Sequence, residues 1–573
     1  MAVTSHRTYV AMRLDGLGER LRALVNAIAL AELTDGQFAF DWRQMPGTEL
    51  EFHDIMAAEE MFDATFLQEH YRPELGTEVL PIQSKADEIL GRLPGKGEFV
   101  RVDQNVFDVE LKGARELFNL RGAFARAFAK IRFTPELEDA RRLAAAVELP
   151  PLIPALHLRA GDVVYGRHRF SGRFTLKLYP FPLGIRVVED AIGAGTRPIV
   201  FAQDAEFRAW LRDTFDIYES TDFLGGINLS RSQTALFEIC LMARCSSIHA
   251  GNSGFALLAA LLSDQRVVQP SSFLTPQERL RVIDECLAAG PQDARITDLQ
   301  RATAAWASIK LSGDLLPLEG QLRRSDLALR FDKLNPLYAL HSASVLFELG
   351  RNEEAEQRLA DQLHDGTEAR QVFVENMRLG PYMGAVLASP YLSVFSAAAR
   401  RGLPLAAFCI GLASKASGVQ QEADEYGLAF RNLRSPRFEN LYQMVVPRPG
   451  ILTSDDASLM DRQEIVILNF REQLSDKEKE NQQLRGELTK FLNLREELSK
   501  RKEDNRQLRG ELAKLLNVRE KLSERDKENR QLRGELSRRL HKLYRSHSWR
   551  LTAPLRWITH RLRRLTKNRS PRP

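Results

Sequence analysis

The stretch LIPALHLRAGD, residues 152–162, decides the predicted fold class. Its first seven residues are almost all apolar, which is typical of a strand buried in a parallel sheet, and polar residues follow where such a strand would end. Short apolar runs recur at 198–202, 246–250 and 266–269, with helical stretches between the first three strands. Strands that alternate with helices predict parallel α/β layers.

The same alternation begins near the amino terminus. Residues 9–12 and 38–40 are predicted strands, and an apolar-periodic stretch at about 19–33 predicts a helix between them. Nearly 300 residues exceed a usual single core, so we predict two Rossmann-type α/β halves that face a cleft. The first half spans 1–150 and the second spans 151–290.

Composition places the chain among ordinary folded proteins. Its 573 residues are 44% apolar and 27% charged, and its four cysteines form no CxxC pair, which excludes a disulfide scaffold. The first residues lack the apolar core of a secretory signal peptide, and no run approaches the ~18 apolar residues of a membrane span. We therefore expect a cytoplasmic protein.

Residues 291–450 are predicted to be mostly helical. The segment from Asn335 to Leu363 resembles one tetratricopeptide-type helical hairpin, with Gly350 at the turn and Ala355 where the two helices touch. Such units need neighbours to bury their faces, and no convincing second copy is found. A plain helical bundle is the alternative.

Residues 461–540 repeat with a period of 24. The segment NQQLRGEL at Asn481 returns as NRQLRGEL at Asn505 and Asn529, within an apolar stripe spaced by three and four residues. The surrounding residues are polar and cannot bury that stripe. We therefore predict a coiled coil that forms a parallel homodimer with its asparagines in register. The alternative is a single solvated helix, and a heterotypic partner also stays open.

The tail, residues 541–573, is strongly basic. From Ser537 to Pro573 the chain has twelve Lys or Arg and no acidic residue, although the rest is mildly acidic. Arginines interleave with Trp549, Trp557 and leucines, a pattern typical of a segment that lies on an anionic membrane surface. Nucleic-acid binding and a disordered solubilising tail are the alternatives. The predicted localisation is the cytoplasm, at the inner face of the membrane.

Three predicted strand ends carry polar residues that a buried sheet would not select. Arg159, followed by Gly161, has a planar guanidinium suited to phosphate, or it forms an ordinary salt bridge. Asp204 can accept hydrogen bonds from sugar hydroxyls, or it caps the next helix. Ser253 lies in a glycine-bounded loop before a helix, where it helps to bind an anion or caps that helix. Parallel strand ends share one edge, so together these residues favour a phosphate site.

A fourth polar turn, Asp15-Gly16-Leu17-Gly18, joins the first strand to the first helix. It lacks the GxGxxG spacing of a dinucleotide site. A tight turn that faces the cleft from the opposite half fits better.

These motifs, in this order, resemble the fucosyltransferase superfamily, which shares a GT-B-type fold and includes bacterial α-1,2- and α-1,6-fucosyltransferases and protein O-fucosyltransferases. The family's early glycine motif matches Gly16-Leu17-Gly18, and its HxRxGD motif matches His157 to Asp162. Its strand-end acid matches Asp204, and its serine loop matches Asn252-Ser253-Gly254. The resemblance covers roughly residues 8–265.

The resemblance implies an inverting transfer of fucose from GDP-β-L-fucose to a glycan or lipid-linked acceptor, without cofactor or essential metal. Arg159 would be catalytic, because it would stabilise the charge on the leaving GDP. Glu19 would be a candidate general base, with an ion-paired or capping role as the alternative. The other implied substrate-binding positions are Gly16, Gly18, Arg20, His157, Gly161, Asp162, Asp204, Asn252, Ser253 and Gly254.

The chain departs from the family pattern at two places. Some members carry a second arginine where this chain has Ala160, and several carry Asn-Gln where it has Glu19-Arg20. These departures leave open the alternative of a non-catalytic scaffold with a decayed transferase domain. A transferase for a different GDP-deoxysugar is a further alternative, because little in the motifs distinguishes fucose from such a sugar.

Overall fold

The chain forms two compact units, Met1–Ile451 and Leu452–Pro573, in a computed structural model. The residues that it describes are 7–13, 16–43, 55–73, 75, 80–81, 99–107, 120–172, 174–289, 296–364, 367–378, 391–416, 420–432, 441, 519, 521, 524–542, 545 and 552–567.

The first half is built on a four-stranded parallel sheet with the strand order β2-β1-β4-β3. Its first helix, α1, is buried from Gly18 to Ala31 because apolar residues occupy nearly its whole circumference. The predicted strand-helix-strand start is therefore confirmed. The elements are β1 Thr8–Met12, α1 Leu17–Thr34, β2 Gln37–Asp41, α2 Ala58–Met61, α3 Ala64–His70, β3 Leu80–Pro81, β4 Phe99–Val102, α4 Ala123–Ala129 and α5 Pro135–Ala146.

The second half contains a five-stranded parallel sheet with the order β7-β6-β5-β8-β9. The elements are β5 Pro154–Leu158, α6 Phe181–Gly193, β6 Ile199–Ala202, α7 Ala205–Thr214, β7 Tyr218–Glu219, α8 Arg231–Met242, β8 Ser247–Ala250, α9 Gly254–Leu262, β9 Val267–Val268, α10 Pro270–Phe273 and α11 Pro276–Ala288. Short turns of π or 3₁₀ helix occupy Gly161–Tyr165, Arg167–Phe170, Phe174–Lys177 and Ser220–Phe223.

The strand register brings the predicted strand ends together. Leu158 of β5 pairs with Ala202 of β6, and His157 of β5 pairs with Ala250 of β8. The residues that follow these three strands therefore lie side by side at one carboxyl edge. The shared edge predicted from the apolar runs is confirmed.

The two halves share one hydrophobic core. Tyr9 and Phe40 of the first sheet belong to the same buried cluster as Ile248 and Leu258 of the second half. Helix α1 packs directly on α9, and α5 packs on α8. The start of α1 is therefore fixed against the second half.

The helical region follows directly, and its consecutive helices pack in chain order from α12 to α15 and from α17 to α19. The predicted hairpin is present, with Gly350 at a left-handed φ of 76° in the turn and Ala355 fully buried where the helices meet. The elements are α12 Asp298–Leu311, α13 Leu318–Phe331, α14 Pro336–Glu348, α15 Asn352–Gln362, α16 Glu368–Arg378, α17 Leu392–Arg400, α18 Pro404–Ala416 and α19 Gln420–Asn432.

The carboxyl-terminal unit is helical where it is described. Residues 524–542 form a helix with Leu532, Leu536 and Leu540 exposed, and a second helix spans Ala553–Lys567. Most of the predicted coiled coil, 461–540, lies outside the described residues, so it stays a prediction. Among the described residues, no helix is long and apolar enough to cross a membrane.

Candidate functional site

Arg159 and Asp162 form a bidentate ion pair just beyond the end of β5. The Arg159 Nε atom donates to Asp162 Oδ1 at 2.8 Å, and Nη2 donates to Oδ2 at 2.6 Å. The Asp162 side chain is 1% exposed and the Arg159 side chain 13% exposed. Among the described residues, Arg159 Nη1 has no hydrogen-bond partner. The carboxylate therefore fixes the plane of the guanidinium while one of its amino groups stays available.

Asp162 also holds His168. The two groups approach to 2.8 Å between His168 Nδ1 and Asp162 Oδ2, and the His168 ring stacks on Phe174 at 4.1 Å. The pairing of His168 with Asp162 could not be predicted from their spacing in the sequence. The short turn after Gly161 brings it back to the carboxylate.

The backbone amides after β5 point to a neighbouring strand end. Gln203 Oε1 accepts hydrogen bonds from Ala160 N at 3.3 Å and from Gly161 N at 3.1 Å. Sequence analysis missed Gln203, although its position beside the predicted acid Asp204 at the end of β6 was the available signal. The side chain ties the two strand ends together.

Asp204 caps α7 and belongs to a half-buried hydrogen-bond network. Its Oδ1 accepts from Phe207 N at 2.9 Å, and its Oδ2 accepts from the Tyr165 hydroxyl and from Gln300 Nε2 at 2.7 Å. Gln300 Nε2 also lies 3.0 Å from the Tyr165 oxygen. Burial and the bond to Asp204 raise the pKa of the Tyr165 phenol above its ordinary value. The capping alternative for Asp204 is thus present, and its role at a nucleotide stays a prediction.

His157 is buried and neutral. Burial, reinforced by the neighbouring positive charge of Arg159, lowers its pKa to about 4. Its ring stacks on Phe255 in the first turn of α9 at 5.8 Å. Among the described residues, the buried Nδ1 atom has no hydrogen-bond partner. This nitrogen is therefore a hydrogen-bonding group beside Arg159 that the described residues leave unsatisfied.

Two glycine turns, one from each half, meet backbone to backbone. A Cβ atom on Gly18 would lie 2.4 Å from the carbonyl carbon of Gly254 and 2.5 Å from the amide nitrogen of Phe255. Gly16 is the N-cap of α1, and Ser253 is the N-cap of α9. The amino-terminal ends of both helices therefore converge, which places their positive dipole ends close together. Sequence analysis named both turns but did not predict their contact.

The loop that carries Ser253 also packs closely against the backbone of Lys177. A Cβ atom on Gly251 would lie 2.3 Å from the carbonyl oxygen of Lys177, so this loop needs glycine there. Ser253 is buried and its side chain makes no capping hydrogen bond, whereas Asn252 is exposed. Ser253 thus occupies the predicted N-cap position of α9, but its side chain does not cap the helix.

Glu19 is ion-paired in the interior. Arg22 Nη1 donates to Glu19 Oε2 at 2.9 Å, and Arg22 Nη2 donates to Asn105 Oδ1 at 3.2 Å. The Glu19 side chain packs on Gly254. The ion-paired alternative for Glu19 is therefore the one that this geometry favours. Arg20 instead lies with its guanidinium 5.3 Å from the Trp42 ring.

The described residues contain no group of three His, Cys, Asp or Glu side chains that is arranged to hold a metal ion. The chemistry available at this edge is that of Arg159, the neutral His157, the carboxylates and the helix N-termini. Among these groups, the guanidinium and the helix N-termini are of the kind that bind a diphosphate.

The comparisons with known proteins concern the α/β region. No family model matches the chain, and no curated protein matches its sequence. The fold is similar to that of solved fucosyltransferases. A NodZ α-1,6-fucosyltransferase co-crystallised with GDP is 16% identical, with 45% of this chain and 92% of that chain covered and a TM-score of 0.29.

Other solved structures match over a similar share of the chain. The fucosyltransferase NodZ from Bradyrhizobium is 16% identical, with 45% and 93% of the two chains covered and a TM-score of 0.26. POFUT1 in complex with GDP-fucose is 11% identical, with 46% and 95% covered and a TM-score of 0.25. The two parallel sheets agree with the expected GT-B-like architecture.

Proposed function

We propose that the α/β region transfers a sugar, fucose in the first instance, from a GDP-linked donor to a hydroxyl acceptor. The observation that carries this proposal is the Arg159–Asp162 pair, set between the ends of β6 and β8 beside the N-terminus of α9. A clamped guanidinium next to a helix N-terminus is a site for a doubly charged phosphate.

The pair supports catalysis because it is preorganised. Asp162 holds Nε and Nη2 of Arg159, so Nη1 is directed without a loss of rotamer freedom when the donor binds. In the transfer, the acceptor oxygen bonds to the anomeric carbon while the bond from that carbon to the β-phosphate oxygen breaks. The negative charge that develops on the leaving diphosphate is then stabilised by Arg159 and by the α9 amides.

The acceptor must also lose a proton to a base. Glu19, the predicted base, is paired with Arg22, so its carboxylate is already engaged by a cation. Glu19 as the base therefore stays a prediction. Its ion pair is also the observation that favours the second candidate, a scaffold whose transferase domain no longer turns over.

Fucose as the sugar rests on the motif resemblance, and another GDP-deoxysugar would use the same phosphate contacts. NodZ has been solved with GDP and soaked with GDP-fucose, and POFUT1 has been solved with both ligands. A glycan or lipid-linked acceptor remains our proposal for the second substrate.

The test of the donor is a calorimetric titration of the full-length protein with GDP, GDP-fucose and UDP. We expect micromolar binding of GDP and GDP-fucose and none of UDP, since the site would be selective for the base as well as for the diphosphate. Release of GDP from GDP-fucose in the presence of a glycan acceptor would then separate a transferase from a scaffold. Absence of GDP binding would defeat both the enzyme and the donor assignment.

We also propose that the chain is a homodimer through residues 461–540. The exposed Leu532, Leu536 and Leu540 lie four residues apart and so share one face of a helix, which a second copy would cover. Truncation after Arg471 should give a monomer that still binds GDP, as measured by light scattering and calorimetry. A truncated protein that remains dimeric would place the interface in the first unit.

A further inference from the structure

The helix Ala553–Lys567, here called the tail helix, carries charge of one sign. Arg556, Arg561, Arg563, Arg564 and Lys567 are its ionisable residues besides His560, and it has no Asp or Glu. Surface helices that only solubilise a protein usually mix both signs along their length. A purely cationic helix indicates a polyanionic partner.

The tail helix also exposes large apolar side chains. Leu555 is 67% exposed, Trp557 63% and Ile558 50%. At 100° per residue, positions 555 and 558 fall on one side, and the sequence continues this spacing at 562 and 565. Positions 556, 563 and 567 fall on the opposite side. The helix is therefore amphipathic, with its apolar and basic faces separated.

Trp557 lies at the edge of the basic face, between positions 561 and 564 around the helix. The Arg561 guanidinium lies over its ring, 4.9 Å from the ring centre. An indole beside a cation at that position suits the headgroup level of a bilayer, where one edge of the ring is apolar and the other is hydrated.

We propose that the tail helix binds the surface of an anionic lipid bilayer and lies in its plane. Charge complementarity selects this occupant, since the basic face matches anionic headgroups while the apolar face enters the acyl boundary. A nucleic acid would satisfy the arginines but would leave Leu555 and Ile558 in water. The helix is too short and too charged to cross the bilayer. The inference concerns where the protein acts and does not depend on the proposed transferase activity.

The experiment is co-sedimentation of the full-length protein with vesicles of phosphatidylcholine, with and without phosphatidylserine. We expect binding only to the vesicles that contain phosphatidylserine, and a decrease as salt is raised. Each arginine near an anionic surface changes the partition coefficient about fivefold. Arg563→Gln/Arg564→Gln should therefore weaken binding about 25-fold, and Leu555→Gln/Ile558→Gln should weaken it although all charges remain.

The matched control is Arg525→Gln/Arg530→Gln, which removes the same charge from exposed positions on the 524–542 helix. It should retain most of the binding. If the control variant lost as much vesicle binding as Arg563→Gln/Arg564→Gln, net charge alone would explain the binding, and the proposal would be overturned. Unchanged binding of Leu555→Gln/Ile558→Gln, or preference for a single-stranded oligonucleotide over the vesicles, would also overturn it. GDP titration of the tail variants reports on the first unit, and vesicle binding reports on the tail helix. The tail proposal can therefore be tested even if the protein does not bind GDP.

Discussion

Arg159→Ala is expected to weaken GDP binding by about 30-fold or more, because a largely buried, charge-assisted contact to phosphate contributes about 2–5 kcal/mol. Arg159→Lys keeps the positive charge but cannot reproduce the bidentate pair with Asp162, so we expect an intermediate loss. Asp162→Asn should also weaken binding, since it releases the guanidinium from its clamp. Calorimetry with GDP measures all three.

The main complication is the carboxylate that Arg159→Ala leaves behind. Asp162 is 1% exposed and keeps its contact with His168, but a buried charge that loses its principal cation destabilises a protein by up to about 3–5 kcal/mol. The double variant Arg159→Met/Asp162→Asn removes both charges and should recover most of the stability while GDP binding stays lost. Thermal unfolding distinguishes the two effects.

A control removes an arginine from the same half without touching the site. Arg212 is half-exposed and pairs with Asp222. Arg212→Ala should leave GDP affinity within about twofold, since exposed ion pairs contribute little. Equal GDP affinity of wild type and Arg159→Ala would remove Arg159 from the site and leave the transferase proposal without its central residue.

The fold of the α/β region was largely predictable because apolar runs mark buried parallel strands. The run at 152–158 and those at 198–202 and 246–250 became β5, β6 and β8, with ends displaced by at most two residues. Parallel pairing then dictates that Arg159, Asp204 and Ser253 share an edge. Only the positions of the apolar runs and of the polar residues that follow them are needed for this prediction.

What surrounds those residues could not be predicted, since it depends on chain segments far apart in sequence. Gln300 reaches Asp204 across 96 positions from the helical region, and no local pattern marks it. Gln203 and His168 are closer to the site in sequence, but their partners are set by turns. The Glu19–Arg22 pair is an exception, because opposite charges at an i, i+3 spacing on a helix predict an ion pair.

The contact between the two glycine turns is the least predictable feature, and the second large effect follows from it. Gly18→Ala would place a methyl group within 2.6 Å of three backbone atoms of Gly254 and Phe255. Backbone cannot move aside as a long side chain can, so we expect a loss at or above the usual 1–3 kcal/mol for overpacking. Because α1 and α9 carry the core that both halves share, GDP affinity should decrease with stability.

Two further glycines provide a control and a comparison for this prediction. A Cβ atom on Gly193, in α6, meets no atom within 4 Å, so Gly193→Ala should be neutral or stabilising by up to about 1 kcal/mol. A Cβ atom on Gly254 meets Cγ and Cδ of Glu19 at 2.7 Å, a side chain that can be removed. Gly254→Ala should therefore be destabilising, and so should Glu19→Ala, because it removes the carboxylate that pairs with the buried Arg22. Gly254→Ala should cost less stability in the Glu19→Ala background than in the wild type, whereas the cost of Gly18→Ala should be the same in both backgrounds. Chemical denaturation of these variants measures each difference. If Gly18→Ala proved as stable as Gly193→Ala, the turns of the two halves would not be in contact, and a donor site shared between them would lose its structural basis.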